Sequence, residues 1–404
     1  MTSASTATDK EGGINPVLSE EQIQTYLKDG VLVVDNIFTP SQVQAGLKGL
    51  AETLARNANV DIHNLEATGH GLQKLSSTNG SGGVLDVAYY DSWKMEIALN
   101  PRLFHATTQL WKAAYCHSGE SAEELSEQDY YRWHPFGKFD CNKGFCYIDR
   151  IGYRLPTKLA EKLGKDLLQQ TTMDDVTSSS SAKKKKKKSV AIQRSLTPHL
   201  DCCPETFYFE ETKSKFRPIQ CFVCLTDALE ENTGGFEAAP GFHRKFYQWA
   251  ENRPPTTKLY KKKEQVGGKL VVTEETVSFP APCLGEYTHI RPTEDRDVMD
   301  RIRRIPARAG SVVFFDNRIP HANSYLHNGD NPRCVVYCSF LPDVPLNRDY
   351  ATRQLAKWKR NDPPNDQWVG YQVASLEKDG SNEQHENQSW LTPLARKLMY
   401  IDPW

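Results

Sequence analysis

Four residues of this chain have types and spacing that suit metal chemistry. His199 and Asp201 form an H-x-D triplet, His321 lies 321 − 199 = 122 positions after His199, and Arg333 lies 333 − 321 = 12 positions after His321. Two neutral imidazoles and one carboxylate on one side of ferrous iron leave coordination positions open for a co-substrate and oxygen. The sequence therefore predicts a non-haem iron(II) site with these three residues as ligands and with O2 as a reactant.

The elements predicted around these residues decide whether they meet. An H-x-D triplet by itself is weak support, and a single strand histidine is more often a core or surface residue than a ligand. In an extended strand, however, residues i and i+2 point to the same side, so His199 and Asp201 can reach one metal. The strand SVVFF and the turn after it deliver His321 to the rim of the same barrel or sandwich.

Arg333 opens the next predicted strand, RCVVYCSF, and a turn returns it towards the metal site. The planar guanidinium group binds a carboxylate through two hydrogen bonds and stays charged at neutral pH. The distal carboxylate of 2-oxoglutarate is the expected ligand, and the Ser324 hydroxyl is an expected second donor to it.

The rest of the chain is predicted to be helical in its N-terminal part and to form β-strands in the part that follows. Residues 1–17 are predicted to be a disordered N-terminus, and Ser19 and Thr39 are predicted N-caps of two helices that flank the strand VLVVDNIF. The segment FCYIDRIGYRLP alternates as a strand and is predicted to place Arg150, Gly152 and Arg154 on one face. If that face lines the cavity, Arg150 and Arg154 favour a carboxylated substrate; the alternative is pairing with surface carboxylates.

Strand-like segments separated by turns then run from residue 197 to residue 340, which predicts an antiparallel sandwich or barrel. The Ser- and Lys-rich segment 171–189 has almost no apolar residues and is predicted to be a disordered loop. Its lysine run, Lys183 to Lys188, has a nuclear-import or polyanion-binding tag as the functional alternative. Residues 347–404 are predicted to form a helical extension packed on the core.

The composition excludes several classes of protein. The chain has 404 residues, 38% hydrophobic residues and a formal net charge of −1, so its overall charge does not indicate a nucleic-acid partner. No apolar run reaches the roughly 20 residues of a membrane span, and no signal peptide is evident. We expect a cytoplasmic protein that acts on a small molecule, as a monomer or weak homo-oligomer; a removed targeting sequence stays an alternative.

The 10 cysteines are scattered along the chain and are predicted to be free thiols. Cys221 and Cys224 form a C-x-x-C pair, but they lie in a predicted strand, where positions three apart face opposite ways. A zinc site at this pair is therefore not expected.

Several segments together resemble the phytanoyl-CoA dioxygenase-like family of iron(II)/2-oxoglutarate oxygenases. They are LSEEQIQTYLKDGVLVVDNIFTPSQVQAGLKGL, TPHLD, LTDALEENTGGFEAAPGFHRKF and GSVVFFDNRIPHANSYLHNGDNPRCVVY. The resemblance spans most of Leu18 to Pro342 and implies one dioxygenase domain over residues 18–346. It implies a mainly β fold with flanking helices (α+β), whose core is a double-stranded β-helix, the jelly roll of cupin-like proteins.

By this resemblance His199, Asp201 and His321 bind iron, while Arg333 and Ser324 contact 2-oxoglutarate. Gln220, on the strand after the H-x-D triplet, matches a further co-substrate contact. His243 lies in a turn, PGFH, that is structural in the family. The chain departs from the family in an insertion near residues 255–295 and in Arg-Leu-Pro at 154–156, where many relatives have Lys-Pro.

The implied activity is oxidation of an unactivated C–H bond in a small, carboxylated metabolite of amino-acid-derived or other specialised metabolism. Hydroxylation, oxidative cyclisation and desaturation use the same protein groups, and the sequence does not separate them. A nucleic-acid- or protein-modifying dioxygenase and a non-catalytic jelly-roll relative are the alternatives.

Overall fold

The computed structural model describes ten ranges of the chain. These are residues 16–76, 80–116, 130–136, 138–175, 191–204, 215–253, 256–266, 269–279, 287–364 and 390–404. Of the N-terminus predicted to be disordered, residues 1–15 lie outside these ranges.

Ten α-helices lie within the described residues. They are α1 (Glu20–Asp29), α2 (Pro40–Ala58), α3 (Leu65–Thr68), α4 (Ser92–Ala98), α5 (Pro101–Ala114), α6 (Thr157–Asp175), α7 (Phe246–Asn252), α8 (Arg296–Met299), α9 (Pro345–Lys359) and α10 (Pro393–Leu398). The two predicted N-caps are confirmed, because Ser19 and Thr39 each complete a capping box with the glutamine three residues later.

The described residues contain thirteen strands. They are β1 (Val31–Val34), β2 (Val84–Leu85), β3 (Gly144–Arg154), β4 (His199–Leu200), β5 (Ile219–Cys224), β6 (Phe236–Ala238), β7 (Thr256–Val266), β8 (Lys269–Phe279), β9 (Thr288–His289), β10 (Arg303–Arg304), β11 (Val312–Asp316), β12 (His321–Asn323) and β13 (Arg333–Pro342).

The strands form two main antiparallel sheets and a hairpin. The larger sheet has the order β1-β11-β5-β13-β3-β2, and the smaller has the order β10-β6-β12-β4-β9. Phe236 of the smaller sheet packs against Phe222 and Phe315 of the larger one, with ring centroids 5.2 and 5.1 Å away. The sheets therefore face each other across an aromatic interior, as in a jelly roll.

A second apolar layer lies on the other side of the larger sheet. Alternate residues of β5, Ile219, Cys221 and Val223, belong to one buried cluster with Leu50, Leu54 and other residues of the helices. Their neighbours Phe222 and Cys224 belong to the cluster between the sheets. This strand is buried on both faces, which explains its nearly continuous apolar sequence. The predicted α+β jelly-roll core is confirmed.

A bulge interrupts β3. Three residues of β13, from Val336 to Cys338, oppose four of β3, from Ile151 back to Ile148, so β3 contains a bulge. The bulge falls at Asp149 and Arg150 and breaks the alternation there. After the bulge, Ile151, Tyr153 and Leu155 belong to the cluster on the helix side of the sheet, as the predicted alternation requires.

Two boundaries differ from the sequence predictions, and the predicted insertion contains a hairpin. Helix α6 continues to Asp175, so residues 171–175 are helical and the predicted loop 171–189 is too long; residues 176–190 lie outside the described ranges. The insertion near 255–295 contains the β7–β8 hairpin. The C-terminal helical region begins at Pro345 with α9, and residues 365–389 lie outside the described ranges.

Eight cysteines, including Cys221 and Cys224, are free thiols. Cys203 is disulfide-bonded, so the prediction that all cysteines are free is wrong at this residue. None of the described helices is both long and apolar enough to cross a membrane.

Candidate metal centre

The two predicted histidine ligands lie opposite each other in the smaller sheet. His321 of β12 pairs in register with His199 of β4, and their ring centroids are 4.3 Å apart. The His321 ring lies between the sheets, 4.8 Å from the Phe315 ring and 5.6 Å from the Phe236 ring. Both imidazoles are therefore held inside the jelly roll.

Asp201 completes the cluster. Its two carboxylate oxygens lie 3.6 Å from Nε2 of His199 and 3.6 Å from Nε2 of His321. One ligand atom from each of the three residues lies within 4.8 Å of the others. The predicted convergence of His199, Asp201 and His321 on one point is observed.

Backbone hydrogen bonds set the orientation of both imidazole rings. Nδ1 of His199 donates to the carbonyl oxygen of Thr197 over 2.8 Å, and Nδ1 of His321 donates to that of Ile319 over 2.9 Å. In each case the acceptor lies two residues earlier in the chain. Such bonds place the proton on Nδ1 and leave the Nε2 lone pair for a metal.

The charges of the cluster also suit a divalent cation. Burial and the neighbouring His321 lower the pKa of His199 to about 3, so this imidazole is neutral at pH 7. Burial alone would raise the pKa of Asp201, but His321, His199 and Arg217 lower it to about 2. A neutral imidazole and an ionised carboxylate are the states in which these groups bind metal ions.

A buried ion pair fixes the turn that delivers His321. Arg318 donates to both carboxylate oxygens of Asp316, over 2.8 and 2.6 Å, and its backbone N–H donates to the same carboxylate over 2.9 Å. The Tyr115 hydroxyl also donates to Asp316. Because Asp316 and Arg318 are both almost fully buried, this turn has one well-defined shape.

Asn323 links Arg333 to the strand that carries His321. Asn323 was not identified from the sequence. Nη1 of Arg333 donates to Oδ1 of Asn323 over 3.1 Å. Asn323 and His321 are two positions apart on β12 and share one face, at about 3.4 Å of rise per residue. The sequence could have identified Asn323, because it lies two positions after His321 and residues i and i+2 of a strand point to the same side.

The other residues predicted to contact the co-substrate or the substrate have separate surroundings. Ser324 is buried, and its backbone N–H donates to the carbonyl of Gly235 over 2.7 Å. The Gln220 amide lies beside Asp201 and contributes to lowering the pKa of that carboxyl, without completing a well-aligned hydrogen bond. Arg154 lies opposite Arg333 at the start of β13.

Arg150 lies at the bulge in β3, beside two acidic side chains. Its guanidinium lies 3.6 Å from the carboxylate of Asp149 and 4.0 Å from that of Asp86. Both carboxylates are largely buried, with exposed side-chain fractions of 13% and 7%, so they are not the surface carboxylates of the predicted alternative.

Tyr287 is a further neighbour of the cluster that sequence reasoning missed. Its ring stacks on the His199 ring with centroids 4.6 Å apart and an interplanar angle of 23°. It also meets the His289 ring edge-on at 4.8 Å. The residue belongs to the insertion near 255–295, so no motif identified it; only the pairing of β9 with β4 brings it to the metal cluster.

His243 is a buried structural residue, as the sequence predicted. Its Nε2 donates to the carbonyl of Leu27 over 3.2 Å, and its ring lies edge-on to Tyr131 with centroids 5.0 Å apart. Burial lowers its pKa to about 4, so it is neutral at pH 7.

Comparison with known proteins identifies neighbours in structure but not in sequence. No family model and no curated protein matches the chain, so the resemblance to phytanoyl-CoA dioxygenase-like proteins stays a prediction. The chain is similar to GlcNAc Inducible Gene 2, GIG2 (DUF1479), from Candida albicans, with a TM-score of 0.63 and 14% identity over 96% of this chain and 78% of that one.

Hypothetical protein JW0805 from Escherichia coli gives a TM-score of 0.58, with 13% identity over 95% of this chain and 82% of that one. EctD from S. alaskensis, crystallised with 2-oxoglutarate and 5-hydroxyectoine, gives a TM-score of 0.43, with 15% identity over 84% and 81%. A score of that size carries no argument about this chain. The comparisons show that the chain shares the fold of GIG2 and JW0805.

Proposed function

We propose that this protein is an iron(II)- and 2-oxoglutarate-dependent oxygenase that oxidises an unactivated C–H bond of a small, carboxylated metabolite. The observation that carries the proposal is the convergence of His199, Asp201 and His321, with both imidazoles oriented through Nδ1. Two histidines and one carboxylate are the ligand set that suits ferrous iron with open positions. Iron bound there with 2-oxoglutarate and O2 would supply the oxidising power.

The residues around the cluster support a co-substrate with a second carboxylate. Arg333 is 4% exposed and is held by Asn323 on the strand of His321. A buried guanidinium is a strong binding partner for a carboxylate, since both hydrogen bonds are charge-assisted and shielded from water. This chain's part in the reaction is to hold both reactants in the dry interior between the sheets and to keep water away from them.

A second group of cations supports an acidic substrate. Lys215 and Arg217 are buried, and both lie over the Tyr147 ring, with the Lys215 Nζ 5.2 Å and the Arg217 Cζ 4.4 Å from its centroid. Arg217 also contributes to lowering the pKa of Asp201, so its charge acts at the metal cluster.

Their position on the backbone is tightly fixed. Lys215 and Arg217 are two positions apart in the chain, and Phe216 lies between them. The side chain of Asn347 accepts from the backbone N–H of Phe216 and donates to its carbonyl, each over 2.8 Å. Arg217 lies 3.5 Å from the carboxylate of Asp149 and its charge reaches Asp201, so it suits a substrate carboxylate held near the metal cluster.

The experiment that tests the function is anaerobic addition of iron(II) and 2-oxoglutarate to the purified protein. We expect a weak visible charge-transfer absorption, which the variant His199→Ala loses. The matched control is His63→Ala, because His63 is exposed and distant in sequence from the cluster. Absence of the absorption in the wild type, or its persistence in His199→Ala, contradicts the proposal.

The substrate class is tested separately through succinate release with O2 present. A panel pairs each small carboxylic acid with its neutral primary amide. We expect acids to stimulate release more than their amides, and Arg217→Gln to remove that preference. Equal stimulation by acids and amides would exclude a carboxylated substrate while leaving the iron site intact.

A further inference from the structure

Two arginines lie side by side inside the fold. Arg154, the last residue of β3, is in register with Arg333, the first residue of β13. Their residues are 3% and 4% exposed. Like charges directly opposite each other on neighbouring strands repel, and burial makes each charge more costly.

The contacts of these two arginines are with neutral groups. Arg333 donates through Nη1 to the amide oxygen of Asn323 over 3.1 Å, and Arg154 donates through Nη2 to the backbone carbonyl of Tyr325 over 2.9 Å. Nη1 of Arg154 is buried and has no hydrogen-bond partner among the described residues. A buried donor without an acceptor is uncommon in folded proteins, and an acceptor atom from a bound ligand would satisfy it.

The charge of Arg333 also acts on the pKa of Arg154. Burial and the charge of Arg333 lower its pKa to about 10, against the smaller opposing effects of Tyr337 and Glu237. Arg154 is still charged at pH 7. The same two arginines, together with burial, lower the pKa of the nearby His327 to about 4, so this histidine is neutral.

We propose that Arg154 and Arg333 jointly bind the distal carboxylate of the co-substrate, and that this carboxylate site is complete without the metal. Naming the ligand as a 2-oxo dicarboxylate rests on the proposed function. Arg154 is thereby a binding residue for the co-substrate and not for the substrate, and it selects against 2-oxo acids that lack a second carboxylate.

This arrangement has a consequence for stability that a structural arginine would not have. In the ligand-free protein the two cations repel, and a bound carboxylate removes the repulsion and supplies an acceptor for Nη1 of Arg154. Replacing Arg154 by the apolar methionine should therefore leave ligand-free stability unchanged or raised. If Arg154 stabilised the fold instead, Arg154→Met would lower the ligand-free stability.

The experiment measures thermal unfolding of the full-length, metal-free protein with a chelator present, in chloride buffer of constant ionic strength without phosphate or sulfate. The probe is glutarate, which has two carboxylates but no keto group for metal chelation, and the neutral control is pentanamide. We expect glutarate to raise the melting temperature in a saturable manner and pentanamide to leave it unchanged. No shift with glutarate would overturn the claim that the site is complete without metal.

The variants Arg154→Met and Arg154→Lys assign the effect. We expect Arg154→Met to weaken glutarate binding by about tenfold or more, since a charge-assisted pair is lost, and Arg154→Lys to lie between it and the wild type. Arg308→Met, at an exposed arginine, removes the same charge and should bind glutarate like the wild type. Unchanged glutarate binding in Arg154→Met, or a ligand-free variant that is much less stable or does not fold, contradicts the proposal.

These results are separable from those for the iron site. Glutarate binding that depends on Arg154, combined with no charge-transfer absorption, would sustain the carboxylate site and refute the oxygenase. If the charge-transfer absorption appears but glutarate binding does not depend on Arg154, the oxygenase is sustained and the proposed carboxylate site is refuted.

Discussion

The Tyr287 ring lies stacked on the imidazole of His199, with centroids 4.6 Å apart. This contact joins the insertion near 255–295 to the metal cluster, because Tyr287 immediately precedes β9 and β9 pairs with β4. The Thr197 carbonyl and the Tyr287 ring thus restrain the same imidazole, one at its Nδ1 edge and one on its face.

The first prediction concerns this stacking. Replacing Tyr287 by alanine should weaken iron(II) binding by about threefold to tenfold, since an aromatic contact of about 1 kcal/mol that orients the ligand is lost. Tyr287→Phe keeps the ring and should bind iron like the wild type. Titration of metal-free protein with iron(II) under argon measures the affinity, and a Phe variant as weak as the Ala variant would show that the hydroxyl matters instead.

The second prediction concerns the residue that holds Arg333. Asn323→Ala removes the acceptor of Arg333 Nη1 and frees the guanidinium to move. We expect the KM for 2-oxoglutarate to rise about fivefold to tenfold, with kcat nearly unchanged, because a binding contact distant from the chemistry is lost. Steady-state succinate release measures both constants. A fall in kcat at constant KM would contradict this role.

The third prediction concerns the turn before His321. Asp316→Asn leaves Arg318 buried without its counter-ion, which should lower the free energy of unfolding by roughly 3–5 kcal/mol. Urea denaturation at pH 7.5 measures the loss. Arg348, which is exposed and lies 2.6 Å from the partly buried Asp343, supplies the comparison, and Arg348→Met should cost roughly 1 kcal/mol or less. Equal losses in the two variants would argue against a special role for the buried pair.

The fourth prediction concerns stability at low pH. Burial lowers the pKa of His243 from 6.5 to about 4, so the unfolded chain binds a proton at this residue before the folded protein does. The stabilising contribution is complete above about pH 6.5 and is lost as the pH falls to about 4. It amounts to roughly 3 kcal/mol at most, from 1.36 kcal/mol per pKa unit.

Urea midpoints of the wild type and of His243→Gln between pH 7.5 and 4.5 check this prediction. The variant should lose less stability than the wild type over that interval, because glutamine does not titrate. Parallel curves would show that His243 does not contribute to the acid sensitivity.

Local sequence determined the parts of this protein that depend on neighbouring residues. Ser19 and Thr39 specified two helix starts, and the i, i+2 spacing placed His199 and Asp201 on one side of a strand. The H-x-D triplet and the distal histidine were enough to predict the metal cluster that the fold assembles.

Tertiary structure decided the remainder, because it depends on pairing between segments far apart in sequence. The bulge at Asp149 and Arg150 exists only in relation to β13, and no local pattern of β3 contains it. Arg154 meets Arg333, and Tyr287 meets His199, through strand register alone. The sequence by itself specified which groups can bind a metal; the register of the strands specified which charges and rings surround it.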